Sequence, residues 1–219
     1  MKVVILAGGR GTRLGGDQPK PMVEIGGYPM LDHIIKIYCK HGFNEFVIAT
    51  GYKGEMIRNA YDGIDIVTCL DTGLDTNTGE RVAMCADYLK GEPFLLTYGD
   101  GLADINIKKL VDFHFKVGGA VTVTAVHPPA RFGQLVLSGH DVVAFNEKPE
   151  NQTEWINGGF FVVSGDFPRL KSWEFEVLPW LAEHDELTAY MHTGFWHCMD
   201  TQRDVDELNQ LWAEGKAKW

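Results

Sequence analysis

Long apolar runs are missing from this chain of 219 residues. None approaches the roughly 20 residues that a membrane-spanning helix needs, so no membrane partner is expected. Cysteine is scarce: four residues, Cys39, Cys69, Cys85 and Cys198, none in a C-x-x-C pair. That spacing makes a zinc site improbable and favours packed free thiols in a reducing cytosol. The eight histidines show no H-E-x-x-H spacing, and no persuasive Ser-His-Asp or Cys-His set is present. Positive charge is in deficit, with 20 Lys and Arg against 30 Asp and Glu and a formal net charge of −10. Such a field repels nucleic acid and anionic membranes. Met1 leads directly into an apolar strand pattern without a signal-peptide pattern, so a cytoplasmic location is expected. Internal repeats, low-complexity tracts and linkers are absent, and 45% hydrophobic residues suffice for a core. One domain spanning residues 1–219 is the expectation.

What is there is concentrated at Leu6 to Met22, LAGGRGTRLGGDQPKPM. The run Val3 to Ala7 reads as a buried parallel strand. It opens into Gly8, Gly9 and Gly11, where a backbone without Cβ can turn sharply and approach a ligand. Successive N–H groups in such a loop point at an anion. Arg10, Arg13 and Lys20 add positive charge, and the combination suits a triphosphate. The loop is neither a Walker GxxxxGK[ST] nor a dinucleotide GxGxxG.

The pattern continues as β-α-β-α-β through the first seventy residues, which implies a parallel sheet with right-handed crossovers. A helix with Met30, Leu31, Ile34, Ile35 and Tyr38 at helical spacing starts with Pro29 in its first turn. A strand at 45–50, a short helix at 55–61 and a strand at 64–70 follow. The Asp-, Thr- and Gly-rich loop 71–80 then runs into a helix at 81–89. The strand Phe94 to Tyr98 ends in Gly99-Asp100-Gly101, which projects a carboxylate into the crevice at the strand ends. A hard oxygen ligand there suits Mg2+. A helix at 104–117 is expected to bury Ile107, Leu110, Val111 and Phe115. Beyond a strand at 121–126, short strands at 132–137 and 142–145 read as an antiparallel excursion. Glu147 and Lys148 offer a hydroxyl acceptor and a phosphate-binding cation. Gly158 and Gly159 interrupt the next strand, which suggests close approach by a ligand. A helix around 175–183 and a strand at 187–191 precede a second isolated aspartate, Asp200. Neither Asp100 nor Asp200 has a Lys or Arg beside it in sequence. Thr201 to Asp204 has capping-box spacing at the last helix.

The blocks LAGGRGTRL, PKPMVEIGG, TYGDGLAD, PPARFGQL, NEKP, INGGFFV and GFWHCMDTQRD run in one order along nearly the whole chain. Together they resemble the sugar-1-phosphate nucleotidyltransferases. The blocks TYGDGLAD and PPARFGQL and the ending around Trp196 and Asp200 are similar to the family's cytidylyltransferase branch. The resemblance implies a Rossmann-like α/β fold, a mixed, mostly parallel sheet flanked by helices with a small antiparallel excursion. It implies CTP and a sugar 1-phosphate, with α-D-glucose 1-phosphate the expected acceptor, as substrates. Mg2+ is the implied cofactor, and a homo-oligomer fits the family. By the same resemblance, Leu6, Ala7, Gly8, Gly9, Gly11, Thr12, Arg13, Lys20, Thr78, Gly79, Arg81, Gly99 and Asp100 would bind the nucleotide. Gly133, Glu147, Lys148, Asn157 and Gly158 would bind the sugar phosphate. Asp100 and Asp200 would hold the metal, and Arg13, Lys20, Asp100 and Lys148 would carry the catalysis. Two departures stand out: the stretch between Tyr61 and Asp71 is shorter than the branch usually has, and Glu80 replaces a glycine. Both fall near the expected base site or subunit contact.

A second nucleoside triphosphate or phosphorylated acceptor within the same family is one alternative. A glycosyltransferase is another, but its metal motif is D-x-D, whereas here Asp100 and Asp104 are separated by Gly101-Leu102-Ala103. A non-catalytic nucleotide sensor would have lost charged site residues, yet Arg13, Lys20, Asp100, Lys148 and Asp200 are all present.

Overall fold

A computed structural model describes residues 1–11, 14–15, 17–129, 133–147 and 154–219. The first strand, β1 (Val3–Ala7), sends Val3, Ile5 and Ala7 into one apolar cluster and Val4 into another. Both of its faces are covered, as a parallel strand requires. A two-residue hairpin, β2 (Glu24–Ile25) and β3 (Tyr28–Pro29), leads into α1 (Met30–Cys39). Pro29 is the N-cap of that helix, with extended backbone, rather than a first-turn residue. Then come β4 (Phe46–Thr50), α2 (Gly54–Tyr61) and β5 (Val67–Asp71). The expected strand start at Ile64 is displaced because Ile64 and Val67 close a turn, Ile64 N to Tyr61 O and Val67 N to Ile64 O.

The helix α3 (Thr78–Tyr88) starts three residues earlier than the apolar spacing indicates. Asn77 and Glu80 form a capping box at its N-terminus, which satisfies otherwise orphaned N–H groups. Glu80 is therefore the box's return partner, with its carboxylate bonded to the backbone and side chain of Asn77. The central strand β6 (Phe94–Tyr98) is followed by a short strand not anticipated from sequence, β7 (Gly101–Ala103), and by α4 (Ile107–Val117). Ile107 and Leu110 are buried as expected and Val111 packs at the edge, but Phe115 is 59% exposed. His114 takes the inward position instead, bonded to Thr122 and Ser164.

Next are β8 (Val121–Val126), a separate hairpin of β9 (Gln134–Ser138) and β10 (Asp141–Asn146), and β11 (Ile156–Val163). The expected helix around 175–183 is split. A π-helical turn over Trp173–Val177 precedes α5 (Leu178–Glu183). The chain ends with β12 (Leu187–His192), β13 (Trp196–Cys198) and α6 (Gln202–Ala213).

Seven strands form the main sheet in the order β12-β8-β11-β6-β1-β4-β5. All run parallel except β11, which is antiparallel to both neighbours. Residues from α1, α2, α4 and α6 join the apolar cluster on one face of the sheet, and α3, the π turn and α5 that on the other. The fold is thus the mostly parallel, helix-flanked sheet that the sequence implies. The strand order reverses direction between β1 and β6. Ligands of such sheets bind outside the carboxyl ends of the strands at that reversal. No helix among the described residues is long and apolar enough to cross a membrane.

Candidate active site

The glycine loop leaves the carboxyl end of β1 at that point. Its position is fixed from below by Arg81, a residue of α3 that is only 4% exposed. One guanidinium nitrogen donates to the Thr50 carbonyl (3.1 Å) and to the Thr72 hydroxyl. The other donates to the carbonyls of Gly8 (3.2 Å) and Leu74 (3.4 Å). The last residue of β4 and the loops after β1 and β5 are tied to one side chain. Gly8 has to be glycine here, since a Cβ would lie 2.3 Å from the guanidinium. Burial pushes the pKa of Arg81 below its ordinary value, with the charge of Asp71 opposing the shift.

Lys20 belongs to a single 3-10 turn, Lys20–Met22, flanked by Pro19 and containing Pro21. Its ammonium is 2.7 Å from Asp100 Oδ2 and 2.9 Å from Asp200 Oδ1. The two aspartates meet because β7 and β13 pair antiparallel, with Gly101 opposite Cys198 and Met199 N donating to Asp100 O at 2.8 Å. Asp100 precedes one strand of this ribbon and Asp200 follows the other. Burial opposes charge on Lys20, but attraction to Asp100 and the hydrogen bonds to both aspartates outweigh it and raise its pKa. The Asp200 backbone N donates to Asp204 Oδ2 (3.0 Å), the carboxylate that closes the Thr201 capping box of α6. The adjacent Cys198 thiol is pushed up to about 12, mainly by burial and then by Asp100. It is protonated at neutral pH and packs rather than reacts.

Across β6, Asn157 Oδ1 accepts from Gly159 N (2.8 Å) and its Nδ2 donates to the Tyr98 hydroxyl (3.2 Å). Trp196 Nε1 donates to Gly158 O at 2.8 Å. Gly133 and Glu147 lie side by side at the base of the β9–β10 hairpin, where a Cβ on Gly133 would come within 2.8 Å of Glu147 Oε2.

Of the residues expected from sequence, Leu6, Ala7, Gly8, Gly9, Gly11, Lys20, Thr78, Arg81, Gly99 and Asp100 line one cavity of about 840 Å3. Gly79 is not in its lining. It packs α3 against the backbone carbonyls of Leu170 and Lys171, which a Cβ would meet at 2.4 and 2.8 Å. Asp200, Gly133, Glu147, Asn157 and Gly158 stand outside the lining, and Asp200 is joined to it by its ion pair with Lys20. Thr12, Arg13 and Lys148 lie outside the described residues. The cavity also takes in Tyr98, Asn77, Ser172, Glu174 and Phe175, which motif reading did not single out. Glu174 and Phe175 sit on the π turn, in a stretch whose apolar spacing reads simply as helix.

A nucleotidyl transferase family model matches residues 2–195. The chain is 44% identical to the glucose-1-phosphate cytidylyltransferase of Salmonella typhi over an alignment of 253 positions, covering 100% of this chain and 98% of that one. It is 31% identical to the mannose-1-phosphate guanylyltransferase catalytic subunit beta of Dictyostelium discoideum, over 96% of this chain and 64% of the other. Among solved structures, HddC from Yersinia pseudotuberculosis complexed with GMP-PN has the same fold. Its TM-score is 0.74 at 24% identity, with 96% of this chain and 99% of that chain covered. A glycine loop at the sheet's reversal point, a lysine bridging two aspartates, and likeness from end to end lead to one conclusion: the chain belongs to the sugar-1-phosphate nucleotidyltransferases.

Proposed function

We propose that the chain transfers the cytidylyl group of CTP to α-D-glucose 1-phosphate, giving a CDP-sugar and pyrophosphate. The observation that carries the reaction class is the cluster of Lys20, Asp100 and Asp200 beside the glycine loop. The 44% identity to the Salmonella typhi glucose-1-phosphate cytidylyltransferase, over the whole of this chain, supports the choice of nucleotide and sugar.

A phosphate monoester is largely dianionic at neutral pH, its second pKa being about 6. It is a nucleophile without a general base, so the task is to bring two anions together and bear the charge of the transition state. A non-bridging oxygen of the sugar phosphate attacks the α-phosphorus. The bond from that phosphorus to the bridging oxygen breaks, and pyrophosphate leaves with both electrons of that bond. The N–H groups of the glycine loop would receive phosphate oxygens, and Arg81 holds the loop's Gly8 carbonyl. Lys20 supplies a fixed positive charge at the cavity floor.

Asp100 and Asp200 fit a divalent metal, because a single ammonium already contacts both and their donors are hard oxygens. Mg2+ bound there would neutralise charge on the triphosphate. On the sequence reading, Arg13 serves the phosphates of the nucleotide, and Lys148, with Glu147, Asn157 and Gly158, serves the sugar phosphate. Pyrophosphate release measured over a grid of five nucleoside triphosphates and several sugar 1-phosphates tests the assignment. The highest kcat/KM is expected for CTP with glucose 1-phosphate. A higher value for another triphosphate refutes the choice of base, and full activity in excess chelator refutes the metal.

A further inference from the structure

Two arginines join the glycine loop to the loop between β5 and α3, and they differ in depth. Arg81 does so from below. It is 4% exposed, and one of its nitrogens donates to the carbonyls of both Gly8 and Leu74. Arg10 does so at the mouth of the cavity. Its guanidinium donates to Asp75 Oδ1 at 2.9 Å, with the side chains 54% and 83% exposed. Both residues line the cavity. The difference in burial is a difference in permanence. Breaking the bonds of Arg81 would strand a charge and its carbonyl partners away from water. The exposed pair is screened by solvent and opens at little cost. Each partner is nonetheless aimed by its surroundings. Next to Asp75, the Leu74 carbonyl is held by Arg81, and the Thr76 hydroxyl donates to the Thr72 carbonyl. The Arg10 guanidinium lies 5.8 Å from the centre of the Tyr52 ring, a cation–π distance, and Tyr52 N donates to Gly8 O at 3.1 Å.

Asp75 is thus a carboxylate in a cavity whose glycine loop suits a triphosphate, and like charges repel there. Three cations among the described residues line that cavity. Lys20 lies between two aspartates, and Arg81 is spent on the loops beneath. Arg10 is the one at the mouth. A guanidinium presents the same planar fork to a phosphate as to a carboxylate. A triphosphate carries more negative charge than one carboxylate and attracts that fork more strongly. Resting on the proposed function, we infer that Arg10 and Asp75 form a latch opened by ligand exchange. Asp75 holds the guanidinium in the free enzyme, and the triphosphate of the incoming nucleotide takes it over. Arg10 is then a binding residue for the phosphates, and Asp75 is their competitor. The latch reads charge and is indifferent to the base.

The test is a double-mutant cycle on nucleotide affinity. Calorimetry gives Kd for CTP in wild type, Asp75→Asn, Arg10→Gln and the double variant, with thermal melts as the folding control. Arg10→Gln should weaken binding about tenfold, the worth of a hydrogen bond to a charged group. Asp75→Asn should tighten it about two- to fivefold, the range of an exposed ion pair. The two effects should be coupled, because the residues compete through one contact. Added to Arg10→Gln, Asp75→Asn should change Kd little. In turnover with glucose 1-phosphate, KM for CTP should follow Kd while kcat stays within about twofold. The same tightening with and without Arg10 makes Asp75 a plain repulsive charge and overturns the latch. Wild-type affinity in either folded single variant also overturns it, and both results leave the proposed function standing. Wild type with no affinity for any of the five nucleoside triphosphates overturns the proposed function, and the latch with it.

Discussion

Lys20 is held by two carboxylates that lie 80 and 180 residues further along the chain. The Lys-Pro step and the two isolated aspartates were each legible in the sequence, and the family resemblance put both aspartates on one metal, but the pairing of Lys20 with both was not legible. An ion pair across such separations is made by the sheet's topology and leaves no local pattern. The same holds for Arg81, whose residue type suggests a phosphate contact, while its four backbone and hydroxyl partners come from the end of β4 and from two separate loops. Lys20→Met should lower kcat roughly a hundredfold, the cost of removing one preorganised charge from a transition state. Lys20→Arg should not restore it, because a planar fork does not fit the single point between Asp100 and Asp200. Steady-state turnover of the two folded variants checks this, and near-normal kcat in Lys20→Met removes the residue from the chemistry.

At the scale of elements, caps decided what periodicity did not. Apolar spacing located the body of α3, but the Asn77–Glu80 box carried its start back to Thr78. That places Thr78 and Gly79 in its first turn. The strands β7 and β13 have three residues each, too few for an alternation to show, yet their pairing brings Asp100 to Asp200. The π turn escaped because apolar residues at about helical spacing do not distinguish a π from an α turn. The capping box of α6 was legible, and it has a second task, since Asp204 also receives the Asp200 N–H. Thr201→Ala should therefore cost about 1 kcal/mol of stability, the usual worth of an N-cap. It should also lower kcat several-fold by loosening Asp200. Denaturant titration with turnover on the same sample tests both effects, and lost stability with unchanged turnover separates the cap from the site. Glu80→Ala should lower the melting temperature and leave the ranking of nucleoside triphosphates unchanged, because its carboxylate serves Asn77. A changed ranking in that variant would assign Glu80 to base selection.

For the whole molecule, the parallel sheet and its helical layers were legible because buried parallel strands read as continuous apolar runs. Phe115 and His114 show what was not: which residue of a helix turns inward depends on the hydroxyls waiting there. His33 is a second buried histidine, accepting from Trp219 Nε1 (3.0 Å) and donating to the Ile25 carbonyl (2.8 Å). Burial holds the pKa of His33 and of His114 below the ordinary histidine value of 6.5. Below that pH the unfolded chain binds more protons than the folded one, so stability should fall as pH drops from about 6.5 toward the lower folded values. Melting temperature against pH for wild type and His33→Asn tests this; the acid-side slope should be shallower in the variant. An equal slope would assign acid sensitivity elsewhere.

The direct test of the account is the fate of each phosphorus of CTP. With glucose 1-phosphate as acceptor, label in the α-phosphate should be recovered in a CDP-sugar and label in the γ-phosphate in pyrophosphate. Label from the γ-phosphate on the sugar, or free phosphate released from glucose 1-phosphate in step with product, would contradict cytidylyl transfer.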